Sequence, residues 1–453
     1  MTQTTKPSLK DFCEHFINVE QNNNLMQFES DGVYLWQACR MAIYYRLSQS
    51  CGVLEQPHQA SLKTPPLTKI IKLLRTLVKV IKHRPSFPAN ATPSTLVVEH
   101  PRKVFWNGRF QDVYSLEIRE QLSDLPCSWF SLDPGLEHHP EYQNNEIKLP
   151  PYWIQTKADL LGKLHFRLPS NTRLQLQTLS AVINKNFNTD IISTNYLETQ
   201  LLRFKSLENS YLNLMRRLNI TTLYLTTSYD NAALVSAGRR QNCKIIEVQH
   251  GTFSRFHLGY SFPDTSHAPK YLPDIFLCWS SQWENRFRSI NVFCNAQAHS
   301  FGYLAAQINA YKGTITSPFK LVVISQGVVG ERLANLILEN IDKLTGLEIN
   351  YKLHPGEYSR WRQYPSLVKL AQQNRVKIIE NCNLHALLAS AQVTIGVFST
   401  ALYEAFELGS KVVIADLPGH EYMEEMISDG HATAFFDWIN SLPSSRSSQS
   451  TLP

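Results

Sequence analysis

Three short stretches carry side chains able to hold a phosphate or move a proton. In Lys352-Leu353-His354-Pro355-Gly356-Glu357, Pro355 turns the chain away at the end of an expected strand. An imidazole there can donate to a phosphate oxygen and stabilise a departing nucleotide phosphate. The plainer alternative is a loop histidine that caps the strand. Val397-Phe398-Ser399-Thr400-Ala401-Leu402-Tyr403-Glu404-Ala405-Phe406-Glu407-Leu408-Gly409 reads as strand, tight turn and helix. Ser399 and Thr400 fall where the helix begins, so their hydroxyls and the first backbone N–H groups form an anion site. Glu404, one turn on, is placed to accept hydrogen bonds from ribose hydroxyls, and Gly409 stops the helix. Its alternative is ordinary N-capping with Glu404 exposed. In Ile245-Ile246-Glu247-Val248-Gln249-His250-Gly251-Thr252 a strand ends in a polar cluster with a permissive glycine. Upstream, Thr226-Thr227-Ser228-Tyr229-Asp230-Asn231 closes a neighbouring strand. Asp230 and His250 are therefore candidates for base, nucleophile or orienting group. For Asp230 the competing role is N-cap of a helix over Ala232–Arg239.

These residues need a frame that gathers strand ends. The strand candidates are Thr95–Glu99, Thr222–Thr226, Lys244–Val248 and Ile275–Cys278, followed by Lys320–Ser325, Glu348–Leu353, Val376–Ile379, Val393–Val397 and Lys411–Ala415. Helices Arg332–Leu344, Ser366–Asn374, Leu384–Ala391 and Ala401–Leu408 alternate with the later group. Short apolar runs alternating with amphipathic helices predict parallel sheets with crossover helices. Ligands of such sheets bind at the carboxyl ends of the strands. The expected organisation is α/β, two Rossmann-like domains facing across a cleft. They would span 95–311 and 319–440, with an N-terminal helical segment over 1–94 and a polar, disordered tail over 441–453. A length of 453 residues suits more than one domain.

Composition removes several classes of function. The eight cysteines are scattered without a CxxC pair, which argues for reduced thiols rather than a zinc site or disulfide framework. There is no Asp-x-Asp pair, no P-loop and no metal-spaced histidine set. Phosphate must then be held by His, Ser/Thr, backbone and basic side chains, without metal or cofactor. Lys plus Arg is 44 against 38 acidic residues, a net +6. That falls short of a nucleic-acid binder and suits anionic substrates. No apolar run reaches the length of a spanning helix, and the first residues lack a signal-peptide core. A cytoplasmic protein is expected, peripheral at the membrane face if the basic helix over 67–84 lies on it. Lys69, Lys72, Arg75, Lys79 and Lys82 fall on one side of that helix. They suit an anionic bilayer, or alternatively a solvated helix face.

Together Gln249-His250-Gly251, Lys352-Leu353-His354-Pro355 and Phe398-Ser399-Thr400…Glu404 resemble the GT-B glycosyltransferases of bacterial capsule and lipopolysaccharide assembly. The nearest likeness is to the CMP-Kdo-dependent Kdo transferases. It covers roughly 95–435 and touches Asp31-Gly32-Val33…Trp36…Arg40. The resemblance implies a nucleotide-sugar donor whose phosphate is held by His354-Pro355, Ser399 and Thr400, and whose ribose is held by Glu404. Gln249 and Gly251 would belong to the same donor site, and the other substrate would be a glycan or glycolipid acceptor. The His-Gly-Thr form also resembles teichoic-acid polymerases that use CDP-activated polyols, where the histidine is a base; that maps to His250. The acidic motif of bacterial sialyltransferases has no good copy here. The expected activity is transfer of an acidic sugar, Kdo foremost, with Asp230 or His250 serving the acceptor or sugar side. A CDP-polyol phosphotransferase and a non-catalytic capsule scaffold are the alternatives.

Overall fold

The computed structural model describes residues 7–54, 92–100, 103–106, 109–124, 129–133, 146–149, 152–163, 168–263, 267–299, 302–313 and 320–442. The basic helix expected over 67–84 and the tail from 443 onward lie outside the described residues. The first domain is built on β1 (Ser94–Val98), β4 (Trp129–Leu132), β5 (Glu146–Leu149), β6 (Ile220–Leu225), β7 (Lys244–Val248), β8 (Ile275–Cys278) and β9 (Asn295–Ala298). They form a seven-stranded sheet in the order β5-β4-β1-β6-β7-β8-β9. Every neighbouring pair is parallel. Between β1 and β4 an antiparallel hairpin, β2 (Val104–Trp106) with β3 (Arg109–Gln111), stands apart from the sheet.

The second domain carries β10 (Lys320–Ile324), β11 (Glu348–Lys352), β12 (Lys377–Ile379), β13 (Val393–Gly396), β14 (Lys411–Ile414) and β15 (Ala432–Ala434). Their order is β12-β11-β10-β13-β14-β15, again all parallel. Helices cover both faces, so central strands must be apolar almost throughout. In β10 and β14 every residue after the first lysine is buried. The two Rossmann-like domains are thus present as expected, and β4, β5, β9 and β15 extend the sheets beyond the runs legible in the sequence.

The helical segment at the N-terminus is not a separate unit. Leu9–Asn22 starts on a reciprocal cap in which Ser8 accepts from the Asp11 N–H and the Asp11 carboxylate accepts from the Ser8 N–H. This helix and Leu35–Ser50 bury Phe12, Phe16, Trp36 and Tyr44 in the same core as Leu223 of β6 and Ile245 of β7. Two long helices, Ser170–Asn186 and Thr194–Arg217, pack into that core as well. The Asp31-Gly32…Trp36…Arg40 stretch turns out to be structural. Arg40 donates to both oxygens of the buried Glu20, at 2.5 and 2.7 Å, and Trp36 Nε1 donates to Glu20 Oε1 at 2.6 Å. The same guanidinium donates to the carbonyls of Leu258 and Ser261, tying the helices to the loop after β7.

Contacts also cross to the second domain. The Leu9 N–H donates to Glu421 Oε1 at 3.0 Å, and the Tyr44 and Tyr422 hydroxyls lie 2.9 Å apart. Among the described residues no helix is long and apolar enough to cross a membrane.

Removing one member of a buried, hydrogen-bonded ion pair leaves the other charge without compensation. Arg40→Ala is therefore expected to lower the unfolding free energy by about 3–5 kcal/mol. Urea denaturation followed by tryptophan fluorescence measures it, and a loss below about 1 kcal/mol, the value of a solvated surface pair, would contradict the anchoring role.

Candidate functional site at the two topological switch points

In the second sheet the chain runs outward from β10 to β11 and β12, then returns to β13 on the other side of β10. The crevice where the winding reverses is the expected ligand position. The loop after β10 joins both flanking motifs there. Ser325 Oγ donates to Glu357 Oε1 at 3.0 Å, while Glu357 Oε2 accepts the His354 N–H at 2.9 Å. Gln326 Oε1 accepts the Phe398 N–H at 3.1 Å. Glu357 is wholly buried, and burial raises its carboxyl above the usual range. It fits only because Gly330 has no side chain, since a Cβ there would stand 2.0 Å from Glu357 Oε1.

His354 is the N-cap of the short turn Pro355–Glu357, with Pro355 at the first turn position, where no N–H is needed. Its Nδ1 accepts the Gly356 N–H at 3.1 Å. An accepting Nδ1 assigns the ring proton to Nε2, the tautomer that presents a donor to an anion. On the other flank Ser399 caps the helix Thr400–Glu407, its Oγ accepting from the Ala401 N–H at 3.3 Å. The helix begins one residue earlier than the sequence suggests. Ser399 is engaged as a cap, so Thr400 is the hydroxyl that the helix start presents. Glu404 is half-buried rather than exposed, with His385 Nε2 3.1 Å from its Oε2.

The first sheet reverses between β1 and β6. His250, two residues past β7, stacks on His100 at 5.7 Å and meets the edge of Tyr114 at 6.2 Å. Its Nδ1 is buried without a hydrogen-bond partner among the described residues. Burial, then His100 and His257, lower its pKa from 6.5 to about 3. Gln249 is fully buried and braces the neighbouring strand end. It accepts from the Trp279 N–H at 2.9 Å and donates to the Gly251 carbonyl at 3.0 Å. Gly251 does not need the left-handed backbone expected of a permissive glycine, because its φ is not positive. Nor does space demand a glycine, since a Cβ at Gly251 would lie 3.8 Å from Thr400 Oγ1, an ordinary contact; the distance shows how near the two residues stand. The two strand-end motifs, far apart in sequence, meet across the domains.

Asp230 departs from expectation. The N-cap of the following helix is Asn231, whose side chain makes no capping bond, so Asp230 is not a cap. Nor does any described hydrogen bond or ion pair join it to His250. It lines a groove beneath the helix Leu35–Ser50, where desolvation raises its carboxyl from 3.8 to about 6. The structure thus gathers Gln249, His250, Gly251 and Thr400 at one place. His354, Pro355 and Ser399 lie on loops bound to the same β10 turn, and Asp230 stands aside.

Sequence reasoning passed over several residues that shape this region. Glu247 is wholly buried and accepts from the Tyr260 hydroxyl at 2.6 Å; burial lifts its carboxyl to about 7. His257 stacks on Tyr260 at 4.9 Å, and burial lowers its pKa to about 4. A carboxylate inside the apolar run Ile245-Ile246-Glu247-Val248 was the available signal for Glu247. Arg286, on the helix Ser281–Ile290, crosses to the second domain. It pairs with Glu425 and, at 3.4 Å, with Asp429, and it donates to the Tyr403 hydroxyl at 2.8 Å. Among the described residues no cluster of three or more His, Cys, Asp or Glu could hold a metal ion.

No protein-family model matches the chain, and no curated protein matches it. Solved structures with some similarity include the UDP-GlcNAc 2-epimerase from Methanocaldococcus jannaschii, at 10% identity and TM-score 0.44, covering 78% of this chain and 90% of that one. The UDP-N-acetylglucosamine 2-epimerase from Rickettsia bellii matches at 8% identity and TM-score 0.45, over 80% and 91%. The wall teichoic acid polymerase TagF matches at 12% identity and TM-score 0.36, over 79% and 83%.

His250 and His257 both have folded pKa values depressed below 6.5. As pH falls past 6.5 the unfolded chain takes up protons that the folded one refuses, so these two groups cost stability from there down to about 3 and 4. The expected result is that the ring signals of both histidines show no titration by NMR between pH 8 and about 5. A midpoint near 6.5 for His250 would contradict its burial.

Proposed function

We propose that the protein is a glycosyltransferase that moves an acidic sugar, Kdo foremost, from a CMP-activated donor to a glycan acceptor. The observation that carries this reading is the approach of Gly251 to Thr400, which brings the ligand edges of two parallel sheets together. A nucleotide donor bound at the second switch point then has its activated end against the first domain. His354 Nε2–H, the Thr400 hydroxyl and the start of the helix Thr400–Glu407 are donors suited to the CMP phosphate. Ser399 retains its O–H to donate while its oxygen caps the helix. Glu404, with His385 beside one oxygen, is the acceptor group for ribose hydroxyls.

The acceptor proton falls to His250. It is neutral at pH 7 and so has a nitrogen able to take a proton, but burial makes it a weak base. Nearby negative charge favours the protonated ring. An acidic sugar and a phosphate bound at the Gly251–Thr400 junction would supply that charge and strengthen the base as substrate arrives. A neutral sugar would contribute less, which is the electrostatic argument for an acidic one.

Incubation with CMP-Kdo and with CDP-glycerol separates the alternatives. Release of CMP from the first supports sugar transfer; CMP from CDP-glycerol marks phosphotransfer, and no release from either marks a scaffold. His354→Ala is expected to lower turnover with CMP-Kdo by about tenfold or more, the loss of one charge-assisted donor. Unchanged turnover in a folded variant would remove the phosphate assignment.

Phosphate stabilisation by these side chains and backbone groups requires no divalent ion. Turnover is expected to persist in EDTA, and loss that magnesium or manganese restores would refute metal independence.

A further inference from the structure

The His250 ring is flanked by two others that arrive from separate stretches of chain. His100 leaves the end of β1 and stacks on it, while Tyr114, beyond the β2–β3 hairpin, meets it with an edge. Both flanking residues are tied to one carboxylate. Asp112, directly after the hairpin, accepts the His100 N–H on Oδ2 at 3.0 Å and the Tyr114 N–H on Oδ1 at 3.0 Å. The Ser115 hydroxyl adds a third donor to Oδ2 at 2.5 Å. Asp112 is wholly buried, and a carboxylate is tolerated there because donors meet both of its oxygens. The bond to Tyr114, two residues on, is an ordinary turn within the loop. The bond to His100 is of another kind: it spans twelve positions and joins the loop to the end of β1.

We propose that Asp112 is a positioning residue for His250, setting the spacing of the His100 and Tyr114 rings that enclose it. This rests on the reading of His250 as acceptor base and deepens it. A base must meet the acceptor hydroxyl in one orientation. The Thr226 backbone hydrogen-bonds the His250 ring, and Nδ1 is the ring nitrogen without a partner among the described residues. The ring proton is thereby assigned to Nε2, and Nδ1 carries the lone pair that takes the acceptor proton. A face on one side and an edge on the other keep that lone pair in place, and Asp112 keeps the face and the edge in place.

Asp112→Asn isolates the bond that matters. Its carbonyl oxygen can keep the turn to Tyr114, while its amide nitrogen cannot accept the His100 N–H. Among the described residues the titratable groups facing His250 are His100, Tyr114 and His257. Burial and His100 both lower its pKa, so release of His100 raises it. NMR of the full chain should show the His250 ring titrating with a midpoint between about 5 and 6.5 in Asp112→Asn. Ser115→Ala keeps both backbone bonds and should leave the ring silent over that range. Circular dichroism of both variants should match the unmodified protein. With CMP-Kdo, Asp112→Asn should lower kcat by about tenfold and leave the donor KM unchanged, since the donor's ligands lie in the second domain. The NMR readout needs no sugar donor, so absence of turnover in the unmodified protein would count against the transfer reading alone. Hydrogen exchange of the unmodified protein needs no variant: the His100 and Tyr114 amides should exchange at least about tenfold more slowly than in an unstructured peptide. The proposal is overturned if a folded Asp112→Asn leaves His250 silent, if Ser115→Ala titrates alike, if kcat is unchanged, or if either amide exchanges freely.

Discussion

Arg286 starts from a helix of the first domain and ends among side chains of the second. Its guanidinium is 9% exposed, pairs with Glu425 and Asp429, and lies 5.0 Å from the Trp283 ring and 5.6 Å from that of Tyr403. Trp283 and Tyr403 themselves meet edge to face at 4.9 Å. A guanidinium desolvated against two rings gains about 2 kcal/mol from cation–π contact, whereas its partly exposed carboxylate partners, like the Arg255–Glu424 pair nearby, add little. This joint sets the registry of the two sheets together with the Leu9–Glu421 and Tyr44–Tyr422 contacts. Tyr403 sits one turn into the helix that begins at Thr400, so a contact that fixes Tyr403 also fixes the hydroxyl facing Gly251.

Within each domain, buried carboxylates hold loops that bear the chemistry. Glu357 links the β10 and β11 ends, and Glu247 and Tyr260 do the same beneath the β7 end. Glu421 accepts the N–H groups of Leu9 and Gly419, one from each domain. A buried carboxylate is costly unless its oxygens find donors, and that cost selects the loop conformations that supply them. Loop shape at the strand ends is therefore set from below by polar groups that never reach the surface.

The sequence made the strand ends legible because each apolar run stops abruptly at a polar cluster, as at Val248-Gln249 and Leu353-His354. It could not reveal which way Asp230 faces. That depends on the helix Leu35–Ser50 packing beside the β6 turn, a contact between residues nearly two hundred positions apart. What the N-terminal helices pack on was hidden for the same reason: an amphipathic helix declares an apolar face but not its partner. Glu357 and Glu247 lay inside the motifs already quoted, yet a carboxylate letter looks the same whether it faces ligand or braces a loop. Gly251 illustrates the limit well. Its residue type was conspicuous, yet the fold asks neither a left-handed backbone nor extra space there, and what matters is its nearness to Thr400.

The hydrogen bond from Leu9 to Glu421 joins residues 412 positions apart. At about 5–20 residues per second, the first helix is made about 20–80 s before the acceptor that completes it. During that interval the first domain can collapse around Phe12, Phe16 and Trp36, but the amino end of the helix and the Tyr44 hydroxyl face water. Closing so long a loop carries an entropic cost that only the finished contacts repay. The clasp can therefore form only after Glu421 has been made, so that a product truncated before Glu421 keeps an unclasped seam. In such a product the amino end of the first helix and the Tyr44 hydroxyl lose the partners that Glu421 and Tyr422 supply.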